Sequence, residues 1–298
     1  MIREYALDPR ALSNWKDFIR LYDGFGVPSG RLISRFPKKW KRLVYDACLQ
    51  CSDIEKKRIE EKLSAIELKM IVPERDFDGN QPWLNNAEAS HAQKPFHAII
   101  AIENPRGHGH IMLADHVEEA NPLWKITREE CIPKTADELI RCAGMLLEQS
   151  EEILLVDQHF NPQNPNYSGP LARFLARACG NGQAPRRVEY HLNAFDRSKS
   201  DFEAQCLKIA RLFPPYLQVT FVRWKQLDGG QKMHPRYILT ERGGFRVEYG
   251  LDEGAPGQTT DISILDSGVH AQRWREFQKS TAAFELVDET VVVNVPRK

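Results

Sequence analysis

Glu152-Ile153-Leu154-Leu155-Val156-Asp157-Gln158-His159-Phe160 sets four apolar residues in a row between an acidic start and a polar tip. A strand covered on both faces has no polar side to alternate with, so this run predicts a buried parallel strand. The flanking sequence alternates helix and strand. Upstream, Thr135 with Glu138 forms a capping box, opening a helix that turns Leu139, Ala143 and Leu146 inward. Downstream, Ser168 caps and Pro170 starts a helix with Leu171, Phe174, Leu175 and Ala178 inside. Val188, Tyr190 and Leu192 then alternate as a strand, and Ser200 with Glu203 caps a helix carrying Phe202, Cys206, Ile209 and Phe213. Residues 217–224 form another strand, and residues 237–240 and 245–249 flank Gly243-Gly244 as a hairpin. This order predicts an α/β fold, a mixed sheet with helices on both faces.

Toward the N-terminus the pattern is helical. Asp8 before Pro9 caps a helix with Trp15, Phe18, Ile19 and Tyr22 on one stripe. A second helix begins near Pro37 with Trp40, Val44, Ala47 and Cys51 on one face, and Ser52-Asp53 restarts it with Ile59, Leu63, Ile66 and Met70 buried. Residues 71–95 hold no periodic pattern and predict a long connection. Residues 97–103 and 111–115 predict a strand pair across the turn-rich Asn104-Pro105-Arg106-Gly107. The expected organisation is a recognition or interaction domain over 1–130, mainly helical with a small β hairpin, followed by the α/β domain over 131–298.

Composition narrows the function classes. Of 298 residues, 42% are hydrophobic and 28% charged, as in a globular protein with a core. The formal net charge of zero argues against a surface coated uniformly for nucleic acid. Six scattered cysteines are read as reduced thiols. No apolar run approaches the ~20 residues that cross a bilayer, and the start lacks a signal-peptide core. The expectation is a cytoplasmic protein without membrane insertion.

The stretch richest in chemistry is His234-Pro235-Arg236-Tyr237-Ile238-Leu239-Thr240-Glu241. Residues two apart on an extended strand share a face, so the imidazole and the guanidinium project together. A neutral imidazole can attack phosphorus, a fixed cation can neutralise charge on phosphoryl oxygens, and a carboxylate can fix the imidazole tautomer. His234, Arg236 and Glu241 are therefore the candidate catalytic set for splitting a phosphodiester without metal or cofactor. Asp157, Gln158 and His159 lie at the carboxyl end of a buried strand, where open α/β sheets place ligand groups.

The succession of elements from Thr135, the strand tip at Asp157 and the His234-x-Arg236-x4-Glu241 motif resemble the phospholipase D-like superfamily. Gly250-Leu251-Asp252 stands near the place of that family's small-residue element, and Phe277 with Trp274 at that of its closing helix. The family motif carries Lys and Asp where this chain has Arg236 and Glu241. In this the chain is similar to the H-x-R branch: the C-terminal domain of MIT-domain proteins, and bacterial proteins encoded beside ATPases in anti-phage operons. The resemblance implies a pocket lined by Asp157, Gln158, His159 and Asp252, with His234 as nucleophile, Arg236 as phosphate clamp and Glu241 as orienter of the imidazole. It implies two alternatives. One is a metal-independent phosphodiesterase or nuclease, which needs a homodimer because the chain has one motif copy. The other is a catalytically silent binding or scaffold subunit. The implied partners are DNA or RNA, and an ATPase or other subunits of a defence complex.

Three further clusters invite a reading. Arg31, Arg35, Lys38, Lys39, Lys41 and Arg42 are six cations in the stretch 31–42, interleaved with Phe36 and Trp40. They are candidates for nucleic-acid binding, against a basic helix start with Trp40 in the core. Five of nine histidines fall between His91 and His116. His108-Gly109-His110 has the spacing of paired metal ligands, but no cysteine pair stands nearby and no metal is expected. Cys48-Leu49-Gln50-Cys51 falls within a helix and is read as core packing.

Overall fold

The computed structural model describes residues 1–295, apart from 196, 235 and 289. It divides into two compact units, Met1–Thr127 and Arg128–Lys298. In the first, β1 (Arg3–Leu7), β2 (Arg31–Ser34), β3 (Met70–Ile71), β4 (Ala98–Ala101) and β5 (Ile111–Leu113) form one sheet in the order β3-β2-β1-β4-β5. Every neighbouring pair is parallel. The helices are α1 (Trp15–Asp23), α2 (Trp40–Ala47), α3 (Asp53–Ser64) and α4 (Trp83–Gln93). This corrects the mainly helical domain with a hairpin. β4 and β5 run parallel, with Ile99 opposite Ile111, and β1 and β2 stand where only helices were expected. The reason is burial: four of five positions in β1 and all four in β2 are covered, so neither strand alternates.

The stretch 71–95, expected to be a structureless connection, contains α4. Its inward residues Trp83, Leu84, Ala87 and Ser90 share a face, but Asn86 and Ser90 break the apolar stripe. The loop before α4 is tied down by Arg75. Its guanidinium meets both oxygens of Glu4 (3.1 and 2.9 Å) and the Ser90 hydroxyl (3.0 Å), and lies 3.7 Å from the centre of the Phe96 ring. Elsewhere the Trp40 indole is wholly buried and donates to the Leu7 carbonyl at 2.7 Å, joining α2 to β1.

The second unit carries β6 (Glu129–Pro133), β7 (Glu152–Val156), β8 (Arg187–Asn193), β9 (Gln218–Lys225), β10 (Arg236–Thr240), β11 (Gly243–Val247), β12 (Thr259–Ile264), β13 (Glu285–Leu286) and β14 (Val291–Asn294). The sheet order is β13-β9-β8-β7-β10-β11-β12-β6, with β14 also on β9. β7, β8 and β9 are parallel; the other pairings are antiparallel. The expected boundary at residue 130 falls inside β6, which pairs along its length with β12, so the strand belongs to this unit. The helices are α5 (Ala136–Glu148), α6 (Pro165–Ala178), α7 (Lys199–Ile209) and α8 (Ser267–Glu276). Thr135 caps α5 as expected, accepting from the Glu138 amide at 3.3 Å. The other two caps shift: α6 starts at Pro165 behind Asn164, and α7 follows Ser198, which accepts from the Asp201 amide. Alternate residues divide between two faces. Leu154, Val156, Val222, Trp224, Tyr237 and Leu239 pack with Phe277 and Phe284. Tyr190 and Phe221 pack against Phe160 and, through Phe221, against Phe202 of α7.

Candidate functional site

From β7 the chain moves to β8 and β9 on one side of the sheet, and β10 then pairs with β7 on the other. The carboxyl end of β7 is thus a topological switch point, where open α/β sheets form a ligand crevice. Tyr237 lies opposite Val156, so the start of β10 meets the tip of β7. There Asp157 is almost wholly buried, taking the Leu251 amide on Oδ2 (2.8 Å) and the His159 amide on Oδ1 (3.0 Å). Arg236 Nε lies 3.8 Å from Asp157 Oδ1, an ion pair too long for a hydrogen bond. Nη1 of Arg236 donates to the carbonyls of His234 and Glu248, both at 3.2 Å. Its buried Nε finds no acceptor among the described residues.

The Leu251 amide reaches Asp157 because Gly250 turns the chain at φ +114°. A Cβ at Gly250 would come within 3.0 Å of Asp157 Oδ2 and 2.4 Å of Asp252 Oδ1. Only glycine fits that approach. Asp252 in turn accepts from Lys134 Nζ at 2.7 Å. Burial raises the Asp157 carboxyl above its ordinary range, against the two amides and Arg236 that lower it. Burial also pushes the Tyr167 phenol well up; Asp157 and Asp252 add to that, and Arg236 and Arg197 oppose it. The Tyr167 ring packs edge-on against Phe160, three residues after Asp157.

The structure brings together Arg236, Asp157, Asp252 and the backbone of His159 and His234. His234 itself is exposed, just before β10, and the intervening Pro235 lies outside the described residues. Gln158 is half-buried, its carbonyl accepting from the Asn193 amide at 3.3 Å. Glu241 is not part of this group. It follows the far end of β10, where its carboxylate accepts from the amides of Glu151 (3.1 Å) and Glu152 (3.0 Å) at the start of β7. Five residues of strand separate it from the Arg236 end, roughly 16 Å at the usual rise. The expected role of orienting the imidazole is corrected on that ground: Glu241 clips two strands together. Lys134, Tyr167, Arg197 and Gly250 join the site without having been expected there. Gly250 belongs to the same small-residue element as Asp252, but Lys134, Tyr167 and Arg197 come from three separate segments and carry no local signal.

The basic segment is taken apart by the fold. Arg31 is buried in β2, donating to the Trp124 carbonyl (2.9 Å) and to Glu119 (3.1 and 3.3 Å), so it is removed from the nucleic-acid set. Lys41 pairs with Glu67 at 2.6 Å and Arg42 with Asp46 at 3.0 Å. Arg35 Nε donates to the Lys38 carbonyl, and Lys38 and Lys39 are exposed. Phe36 and Trp40 are core residues that offer no face for stacking. Three of these histidines gather into a stack, with His91 and His110 ring centres 3.9 Å apart and His108 and His110 5.2 Å apart. Parallel rings do not aim their in-plane lone pairs at one point, and among the described residues no group of three ligands could hold a metal ion. Cys48 is buried with its thiol on the Leu12 carbonyl, and Cys51 contacts that of Ser13. Among the described residues no helix is long and apolar enough to cross a membrane.

No protein-family model and no curated protein matches the chain. Among solved structures, that of TrmBL2, described as an archaeal chromatin protein with a novel mode of DNA binding, aligns with a TM-score of 0.30 and 16% identity. The alignment covers 55% of this chain and 55% of that one, so the chain spans about half the length of that structure.

Proposed function

We propose that the second unit is a phosphate-ester-binding module of phospholipase D-like type that holds its ligand without hydrolysing it. The observation that carries this reading is Arg236: a guanidinium pinned by two carbonyls at the switch point of the sheet, with a buried N–H that is 3.8 Å from Asp157 and has no hydrogen-bond acceptor among the described residues. An unpaired buried donor is costly, and a phosphoryl oxygen is the acceptor a guanidinium fits best. Arg197, held on the Phe160 carbonyl, supplies a second positive charge beside the same strand tip, while the charge of Lys134 is taken up by Asp252. Binding is favoured over cleavage because the carboxylate expected to orient His234 is spent on the amides of Glu151 and Glu152. An exposed imidazole with no carboxylate bound to it among the described residues is a weak nucleophile.

The test is a titration of a short abasic deoxyribose-phosphate oligomer, which offers phosphodiesters and no bases, followed by fluorescence anisotropy. The wild type binds it, and Arg236→Gln weakens binding roughly ten- to a hundredfold, the weight of a charged hydrogen bond. Arg236→Lys, keeping the charge but not the fork, falls between. Unchanged affinity in both folded variants contradicts the reading.

A further inference from the structure

Beside the Arg236 crevice stands a feature that phosphate binding alone does not use. His159 follows Asp157 by two residues and gives its amide to that carboxylate at 3.0 Å, so its exposed ring is anchored to the floor of the site. Parallel to it, at 12°, lies the ring of Phe195, which follows β8. The ring centres are 6.0 Å apart. Rings in full overlap stack at ~3.5–4 Å, so at this separation the two are not in full overlap, and both residues are exposed. Phe195 is 48% exposed, although a phenyl ring gains nothing from water. Its backbone sits at φ +44°, a region that residues with a Cβ adopt at a cost, and its amide is held there by Asn193 Oδ1 at 2.8 Å. The chain thus holds an apolar ring outward.

A cation flanks this pair. The Arg197 guanidinium lies 5.9 Å from the centre of the Phe195 ring and donates to the Phe160 carbonyl at 3.3 Å, next to His159. Arg236 reaches Asp157 at 3.8 Å and Arg197 reaches the Phe160 carbonyl, so both cations sit at the tip of β7. An isolated exposed phenylalanine is commonplace on protein surfaces. One stacked on an exposed imidazole, flanked by a guanidinium and next to a phosphate crevice, is the combination that grips single-stranded nucleic acid.

Resting on the phosphate-binding reading of the same site, we infer that its ligand is single-stranded nucleic acid, with an unpaired base stacked on the His159–Phe195 ladder and the adjoining phosphate on Arg236 and Arg197. A base within a duplex is covered by its neighbours on both faces, so the strand must be unpaired.

The experiment compares an oligothymidylate, its abasic counterpart and its duplex with oligoadenylate on the full chain, in EDTA. The wild type binds the oligothymidylate about tenfold tighter than the abasic strand, the usual weight of one stacked base, and the duplex no tighter than the abasic strand. Phe195→Ala brings oligothymidylate down to the abasic level and leaves abasic binding unchanged, while Phe195→Trp keeps the preference. Equal binding of the base-bearing and abasic strands by the wild type, or an equal loss on both in Phe195→Ala, overturns the inference and leaves the phosphate reading standing. Absence of binding to every probe removes the phosphate reading, and the inference falls with it.

Discussion

Single residues of the second unit show how titration is tied to the fold. His191 is wholly buried; the Trp224 indole donates to its Nδ1 at 2.9 Å, so the ring proton sits on Nε2, 3.1 Å from Glu189 Oε2. Arg187 meets the same carboxylate at 2.7 Å. Burial alone would raise the Glu189 carboxyl, but His191 and Arg187 outweigh it and hold it well below the usual carboxylate range. Burial lowers the His191 imidazole, against the pull of Glu189. A lowered folded value means that the unfolded chain binds protons first, so stability is full above each group's ordinary value and is lost below it. Acidification should therefore remove the contributions of these two groups in two steps, His191 through the ordinary histidine range and Glu189 through the carboxylate range, where the raised Asp157 acts in the opposite sense. Thermal midpoints measured against pH check this: Glu189→Gln should flatten the more acidic step, and an unchanged profile would remove Glu189 from the account.

Among the elements, β10 joins two functions at its two ends. Arg236 starts the strand at the crevice, and Glu241 follows it where β7 begins. Glu241→Ala should leave two strand-end amides without their acceptor and cost about 1–3 kcal/mol of stability, while affinity for a phosphodiester stays unchanged. Denaturant titration alongside the binding titration separates the two. A variant that keeps its stability and loses binding would return Glu241 to the site. The meeting of Arg236 with Asp157 was expected only through the resemblance, which sets both in one pocket; the residues of the two strands taken alone do not announce that β10 pairs with β7. The reach of Glu241 was not legible. Five residues in a motif read as proximity, whereas an extended strand turns them into separation. α6 and α7 were placed a few residues late because Ser168 and Ser200 are good caps by type; Asn164 and Ser198 hold the actual positions.

Across the whole molecule, legibility tracked the kind of burial. The second unit mixes antiparallel strands with capped helices, and both leave periodic marks. The first unit is a parallel sheet covered on both faces. Tyr5, Ala6 and Leu7, and Leu32, Ile33 and Ser34, are buried in succession, so no period separates these strands from helix. The basic segment misled for a related reason: Arg31 is a core cation between Trp124 and Glu119, and composition alone cannot distinguish it from a surface one. Lys134, Tyr167 and Arg197 reach the crevice only through the folded chain. The central claim concerns what that crevice does to a phosphodiester. Its most direct test is a labelled single strand incubated in EDTA with the wild type and with His234→Ala, at saturating protein, with strand length measured after binding is recorded. The account predicts that both proteins bind and that the strand stays intact with each. A strand cut by the wild type and spared by His234→Ala would contradict it and make His234 the nucleophile of a phosphodiesterase.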